Sequence, residues 1–194
     1  PSNHEEKARK FMLEWAKENH IEAFMDEAGN IIMRKGATPG MENRKGVILQ
    51  GHLDMVPQKN EDTVHDFQND PIQTYIDGEW VRAKGTTLGA DNGMGVAAGM
   101  AILTSTDIPH GPVEVLITAT EETGMDGANG LKPGLLNGDI LLNLDSETEG
   151  ELYVGCAGGI DFSASFQYKE EAVPAGMAAF RLAIKGLKGG HSGM

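Results

Sequence analysis

A chain of 194 residues with 40% hydrophobic and 23% charged residues is ordinary globular material, enough for one full domain and part of another. Sixteen Lys and Arg against 29 Asp and Glu leave a formal charge of −13. That balance argues against nucleic acid or anionic membrane as a partner, since binding phosphate needs basic patches, and it is compatible with acids gathered around a cation. No apolar stretch approaches the roughly 20 residues of a membrane span and no signal-peptide pattern is present. The lone Cys156 excludes an internal disulfide framework, so a soluble, cytoplasmic protein is expected.

Residues 5–20 read as an amphipathic helix, with Ala8, Phe11, Met12 and Trp15 at helical spacing and Ser2 or Asn3 as the expected cap. Residues 21–25 and 31–34 read as short strands joined by the hairpin turn Glu27-Ala28-Gly29-Asn30. Three later segments share one design. Val47-Ile48-Leu49-Gln50 leads into Gly51-His52-Leu53-Asp54, residues 113–118 into Ala119-Thr120-Glu121-Glu122, and residues 140–144 into Asp145. Short apolar runs between turn signals suit buried strands of an α/β sheet. Between the first two, residues 92–103 are small and apolar, which predicts a helix packed closely on the sheet, with Asp91 at its start. A further helix over 128–136 is interrupted by Pro133 and Gly134. The alternation predicts an α/β fold with a mostly parallel sheet and helices on both faces.

From Gly150 the texture changes. Ile160, Phe162, Ala164, Phe166 and Tyr168 alternate with polar residues, as do Phe180, Leu182 and Ile184, which predicts antiparallel strands. The last residues stop in mid-motif. Two domains are therefore expected: 1–158, the N-terminal part of a catalytic domain, and 159–194, the truncated start of an α+β lid domain.

Ligands of open α/β sheets bind beyond the carboxyl ends of the strands. Each of the three carboxyl ends here delivers a His, Asp or Glu. In the H-x-D of His52 and Asp54, side chains two apart in an extended chain point the same way. One can ligate a metal while the other orients a catalytic partner. Asp91, in Gly89-Ala90-Asp91-Asn92-Gly93, is either a helix cap or a carboxylate shared by two ions. Glu121 and Glu122 are either a solvated acidic pair or a proton acceptor beside a metal ligand. Asp145 is a ligand or a loop acid. Separately each has a plain structural reading; together, at the ends of one sheet, they favour a metal centre. A competing signal is Gly93-Met94-Gly95-Val96-Ala97-Ala98, a formal G-x-G-x-x-A with Glu114 at the distance of a ribose-binding acid. No apolar strand directly precedes Gly93, which weakens a dinucleotide reading.

The segments Gly51-His52-Leu53-Asp54-Met55-Val56-Pro57, Gly89-Ala90-Asp91-Asn92-Gly93, Ala119-Thr120-Glu121-Glu122-Thr123-Gly124 and Asn143-Leu144-Asp145-Ser146-Glu147 together resemble the metallopeptidase M20 family. More closely, they resemble its aminoacyl-histidine dipeptidase (bacterial carnosinase) branch, as do Pro1-Ser2-Asn3-His4-Glu5 and Cys156-Ala157-Gly158-Gly159. The resemblance implies a two-domain, homodimeric hydrolase of Xaa-His dipeptides with two zinc ions, manganese or cobalt being alternatives. It implies that His52 and Asp145 hold one ion, Glu122 the other, and that Asp91 bridges them. Asp54 would orient His52. Glu121 would take a proton from water and return it to the leaving amine. A cis peptide is implied between Asp91 and Asn92, and His191 matches a lid histidine that polarises the substrate carbonyl. The family's last metal ligand, a distal His, falls beyond this chain, which is therefore expected to bind metal weakly and hydrolyse little alone. The alternatives are another M20-type amidohydrolase, deacylase or aminopeptidase, an engineered domain without activity of its own, and a non-catalytic dinucleotide- or small-molecule-binding domain.

Overall fold

The apolar runs read from the sequence become the strands of one sheet in a computed structural model, which describes residues 1–146, 148–156, 158, 160 and 162–185. In chain order the elements are α1 (Glu6–Glu18), β1 (Glu22–Met25), β2 (Ile31–Lys35), β3 (Val47–His52), β4 (Thr74–Asp77), β5 (Trp80–Ala83), α2 (Ala90–Thr104), β6 (Val113–Thr118), α3 (Asp126–Gly130) and β7 (Ile140–Asn143). They belong to the first of two units, Pro1–Glu147; the second is Thr148–Met194.

The five-stranded sheet has the order β1-β2-β6-β3-β7. β6, β3 and β7 run parallel, while β2 and β1 add an antiparallel hairpin at the other side. This is a mixed α/β fold with a mostly parallel centre. β6 is buried along its whole length, as a middle strand should be. Its alternate side chains face two cores. Val115 and Ile117 join Met12 and Ala16 of α1, Leu103 of α2, and Ile31 and Met33 of β2 on one face. Leu116 meets Ile32 and Ile48 on the other, covered by Leu131, Leu135 and Leu136.

Several expectations change in detail. The predicted helix over 128–136 is the five-residue α3, after which Leu131 is extended and Gly134 takes a left-handed φ of 83°. Pro133 removes a donor and Gly134 favours a turn, so this stretch covers the sheet as a loop. β7 is paired only with β3, and its Ile140, Leu141 and Leu142 are 41–52% exposed rather than buried. β4 and β5 form a separate antiparallel hairpin around Gly78-Glu79, which was not anticipated. In the second unit, the alternating stretches expected as strands carry none among the described residues. Their apolar side chains, including Phe162, Phe166 and Phe180, are exposed. A strand gains stability only through a ladder partner and a buried face, and neither is present there.

Glu114 lies on the same face of β6 as Leu116 and is 5% exposed. Its carboxylate accepts from Arg34 Nε at 3.0 Å and from the backbone N–H groups of Asn137 and Gly138, both at 2.7 Å. Burial alone would raise its pKa, but Arg34 and the two amides outweigh that and hold it below the usual 4.5. A group whose folded pKa is depressed adds stability above its unfolded pKa, and that stability is lost as pH falls through the folded value. Glu114→Gln is therefore expected to cost about 2 kcal/mol at pH 7. It should also flatten the acid limb of stability below pH 4.5, as read by urea unfolding between pH 7 and 3.

Candidate metal centre

Register puts the acids together. In the parallel ladder His52 is opposite Thr118, and Gln50 is opposite Asn143. Glu121 and Glu122 lie three and four residues past Thr118, and Asp145 lies two past Asn143, so all follow the same carboxyl edge of the sheet as His52. Asn143 Nδ2 donates to Gln50 Oε1 at 2.6 Å and fixes the exit of β7. Asp91 arrives from the start of α2. There Asp91 (φ −85°, ψ 110°) and Asn92 (φ −108°, ψ 35°) are non-helical, and the peptide between them is cis, as the resemblance implies.

Asp91 caps no helix with its side chain; its Oδ1 lies 2.9 Å from His52 Nε2. Asp145 Oδ1 lies 3.6 Å from the same nitrogen. The other ring nitrogen, Nδ1, is buried and faces Asp54 Oδ1 at 3.4 Å, outside hydrogen-bond geometry. Burial by itself would lower the His52 pKa. The carboxylates of Asp145, Asp54 and Asp91 overturn that and push it up to about 11.

Asp54 is fully buried, yet its pKa falls well below the usual carboxylate range. Burial opposes that shift. The facing His52 ring, with hydrogen bonds from the Ser2 hydroxyl and the N–H groups of Glu121 and Glu122, outweighs it by favouring the charged form. Oδ1 accepts from Glu121 N at 2.9 Å, while Oδ2 accepts from Ser2 Oγ at 2.7 Å and Glu122 N at 3.3 Å. The glutamates go the other way. Burial is the largest cause raising both, reinforced for Glu121 by Asp145, Asp54 and Asp91 and for Glu122 chiefly by Asp91. Asp145 is lowered, first by the nearby His52 ring.

The structure thus brings together His52, Asp54, Asp91, Glu121, Glu122 and Asp145. His191 lies outside the described residues. His52, Asp91 and Asp145 offer ligand atoms within 4.8 Å of one another, and so do His52, Glu121 and Glu122. One imidazole nitrogen with several carboxylate oxygens is a donor set for a divalent cation such as zinc, manganese or cobalt. The excess of acids over bases is what such a cation would neutralise.

Sequence reading missed the residues that hold this set. Asn92 Nδ2 donates to Asp145 Oδ1 at 2.8 Å and to Leu144 O at 3.0 Å. Asn30 is fully buried; its Oδ1 accepts from Ala119 N and its Nδ2 donates to Gly127 O, which clamps both ends of the glutamate loop. Ser2 caps nothing: α1 begins after Glu5 without a side-chain cap, and the Ser2 hydroxyl goes to Asp54. Asn30 was visible as a turn residue, but its partners are about 90 positions away and leave no local trace.

Residues 48–146 match peptidase family M20/M25/M40. The chain is 62% identical, over all of its length, to the cytosol non-specific dipeptidase of Escherichia coli K12, and spans 40% of that protein. The aminoacylhistidine dipeptidase of Vibrio alginolyticus superposes with a TM-score of 0.78 at 63% identity, over 80% of this chain and 32% of that one. Aminopeptidase PepT of Bacillus cereus superposes with a TM-score of 0.64 at 25% identity, over 76% of this chain and 39% of that one. No helix among the described residues is long and apolar enough to cross a membrane. A sheet of this topology, with an acid-rich donor set at its carboxyl edge and half of the chain matched, settles the family: the chain belongs to peptidase family M20/M25/M40, whose members depend on metal.

Proposed function

We propose that this chain is the metal-binding part of a dipeptidase acting on Xaa-His dipeptides. The observation that supports it best is His52 flanked by Asp91 and Asp145 in one grouping and by Glu121 and Glu122 in another. In this reading His52 and Asp145 hold one zinc ion, Glu122 holds a second, and Asp91 is shared. The ions, when bound, supply Lewis-acid polarisation and make water more acidic. Glu121 is the general base and acid. Its pKa is raised by burial and by neighbouring acids, so it can hold a proton long enough to deliver it to a leaving amine. Asp54, ionised and buried, keeps the His52 ring oriented. Residues 1–158 are the catalytic part and 159–194 the start of a lid that contributes His191, in a cytoplasmic homodimer.

The two named relatives differ in breadth, one non-specific and one aminoacylhistidine-directed. Carnosine, Ala-His and Ala-Leu assayed side by side decide between them. Hydrolysis confined to the His dipeptides supports the narrower substrate, and equal rates on Ala-Leu overturn it. Because the chain spans 40% of the E. coli relative, these assays use the full-length polypeptide that carries it. This chain alone is expected to bind zinc weakly and to turn over little.

Calorimetric titration of zinc, with manganese and cobalt beside it, is expected to show saturable binding that is lost in Asp91→Ala and Glu122→Ala. Parallel titration with NAD should give no heat; NAD binding would sink the metallopeptidase reading. In Glu121→Gln, kcat is expected to fall by about 10²–10⁴ while zinc affinity stays within a few fold. A smaller change is also informative. A Cβ added at Gly95 would collide with Asn92 Oδ1. Gly95→Ala should improve helix propensity by about 1 kcal/mol, yet weaken zinc binding about 10-fold by displacing the side chain that holds Asp145.

A further inference from the structure

Two residues ahead of α1, Ser2 and Glu5, reach into the centre. Ser2 is 7% exposed and Glu5 is 3% exposed, unusual for polar residues. Ser2 has one hydroxyl proton and two acceptors nearby. Asp54 Oδ2 at 2.7 Å is much the closer, against 3.3 Å for Met55 O. The backbone of Ser2 is fixed independently, its N–H donating to Met55 O at 3.2 Å.

Glu5 does for the glutamate loop what Ser2 does for Asp54. Its Oε1 accepts from Thr120 N at 3.1 Å and from Thr120 Oγ1 at 2.9 Å, and Arg9 Nη2 neutralises Oε2 at 3.2 Å. Thr120 sits in the left-handed region at φ 52°, which a β-branched residue rarely adopts unaided. The two bonds from Glu5 hold that turn. Its geometry sets the directions in which the next two residues, Glu121 and Glu122, leave the sheet.

We infer that Ser2 and Glu5 are positioning residues of the centre, Ser2 fixing the carboxylate of Asp54 and Glu5 fixing the turn that aims Glu121 and Glu122. This inference rests on the hydrolytic reading above. Neither side chain hydrogen-bonds to His52, Asp91, Glu121, Glu122 or Asp145; their partners are Asp54, Met55, Thr120, Asn3 and Arg9. They act because Asp54 is the junction of the site: it faces His52 with one oxygen and receives Ser2 with the other, while both glutamate N–H groups donate to it. Without the Ser2 hydroxyl, Asp54 Oδ2 keeps only the longer bond from Glu122 N, and the carboxylate is free to rotate away from His52. Polar partners one step behind metal ligands typically account for about 10–100-fold in affinity or activity.

The test uses the full-length polypeptide that carries this chain, with zinc affinity measured by chelator competition beside steady-state hydrolysis of a His dipeptide. Ser2→Ala is expected to weaken zinc binding about 10-fold and to lower kcat about 10-fold with KM within about twofold, and Ser2→Thr should restore both. Glu5→Ala should act in the same direction. Glu5→Gln should be much milder, because an amide oxygen can still accept from Thr120. If Ser2→Ala and Glu5→Ala only lower the melting temperature, leaving kcat and zinc affinity unchanged, the two residues are mere anchors and the inference is overturned. If Ser2→Thr fails to restore what Ser2→Ala loses, the hydroxyl is not the cause and the inference is equally overturned. A wild-type protein that binds no zinc and cleaves no dipeptide overturns the hydrolytic reading itself, and the positioning role with it.

Discussion

Five carboxyl groups, those of Asp54, Asp91, Glu121, Glu122 and Asp145, are gathered around a single imidazole. Two like charges 4 Å apart repel by about 4 kcal/mol at an effective dielectric constant of 20, so such a cluster must be held by the rest of the fold. Three devices do this. The parallel register of β3, β6 and β7 fixes where the strands end. Neutral donors, chiefly backbone N–H groups with Ser2 and Asn92, satisfy the carboxylates of Asp54 and Asp145. Lastly, three of the acids push the His52 pKa up to about 11, which favours its charged form among them.

The same burial divides the acids into two kinds. Asp54 is buried and strongly ionised because it receives hydrogen bonds on both oxygens; Glu121 is partly buried and held toward its neutral form because fewer donors offset the surrounding charge. Pairs of titratable groups whose environments push their pKa values apart mark an assignment of roles. A carboxylate that cannot readily take a proton orients its neighbours. One that can is suited to move it. The difference arises over a single backbone hydrogen bond, Glu121 N to Asp54 Oδ1 at 2.9 Å, so the two roles are mechanically joined.

Much of this was legible in the sequence, for a physical reason. Central strands of such a sheet are mostly apolar, and here their carboxyl ends are marked by a change to His, Asp or Glu, as in β3 and β6. β7 carries the same marks, and its exposed place at the sheet edge follows from pairing, which composition does not encode. The hairpin of β4 and β5 was readable from Gly78-Glu79, a two-residue loop led by glycine, with the β-formers Tyr75, Ile76, Trp80 and Val81 on either side. Ser2, Glu5, Asn30 and Asn92 were not readable in this way. Each makes its decisive bond to a residue at least 52 positions away, and each has a plausible local role, as a cap or in a turn, that conceals the distant one.

The glycine pattern of α2 shows how an apparent binding signal resolves once contacts are known. In a dinucleotide site the glycines would bring backbone to phosphate, and an acid about 20 residues on would meet a ribose. Here Gly95 faces the Asn92 amide and Gly99 faces Val115, where an added Cβ would lie 2.9 Å from a methyl carbon, so both serve the close approach of helix to neighbouring groups. The acid at the right spacing, Glu114, is taken up by Arg34, Asn137 and Gly138 on the opposite face of β6 from Val115. Its two oxygens already accept from four donors, leaving no acceptor free for a sugar hydroxyl. The small residues of α2 let the helix lie close against the sheet, and that closeness is what delivers Asp91 from the helix start to within 2.9 Å of His52. The glycines therefore belong to the metal centre as spacers, and the motif they spell is a consequence of packing.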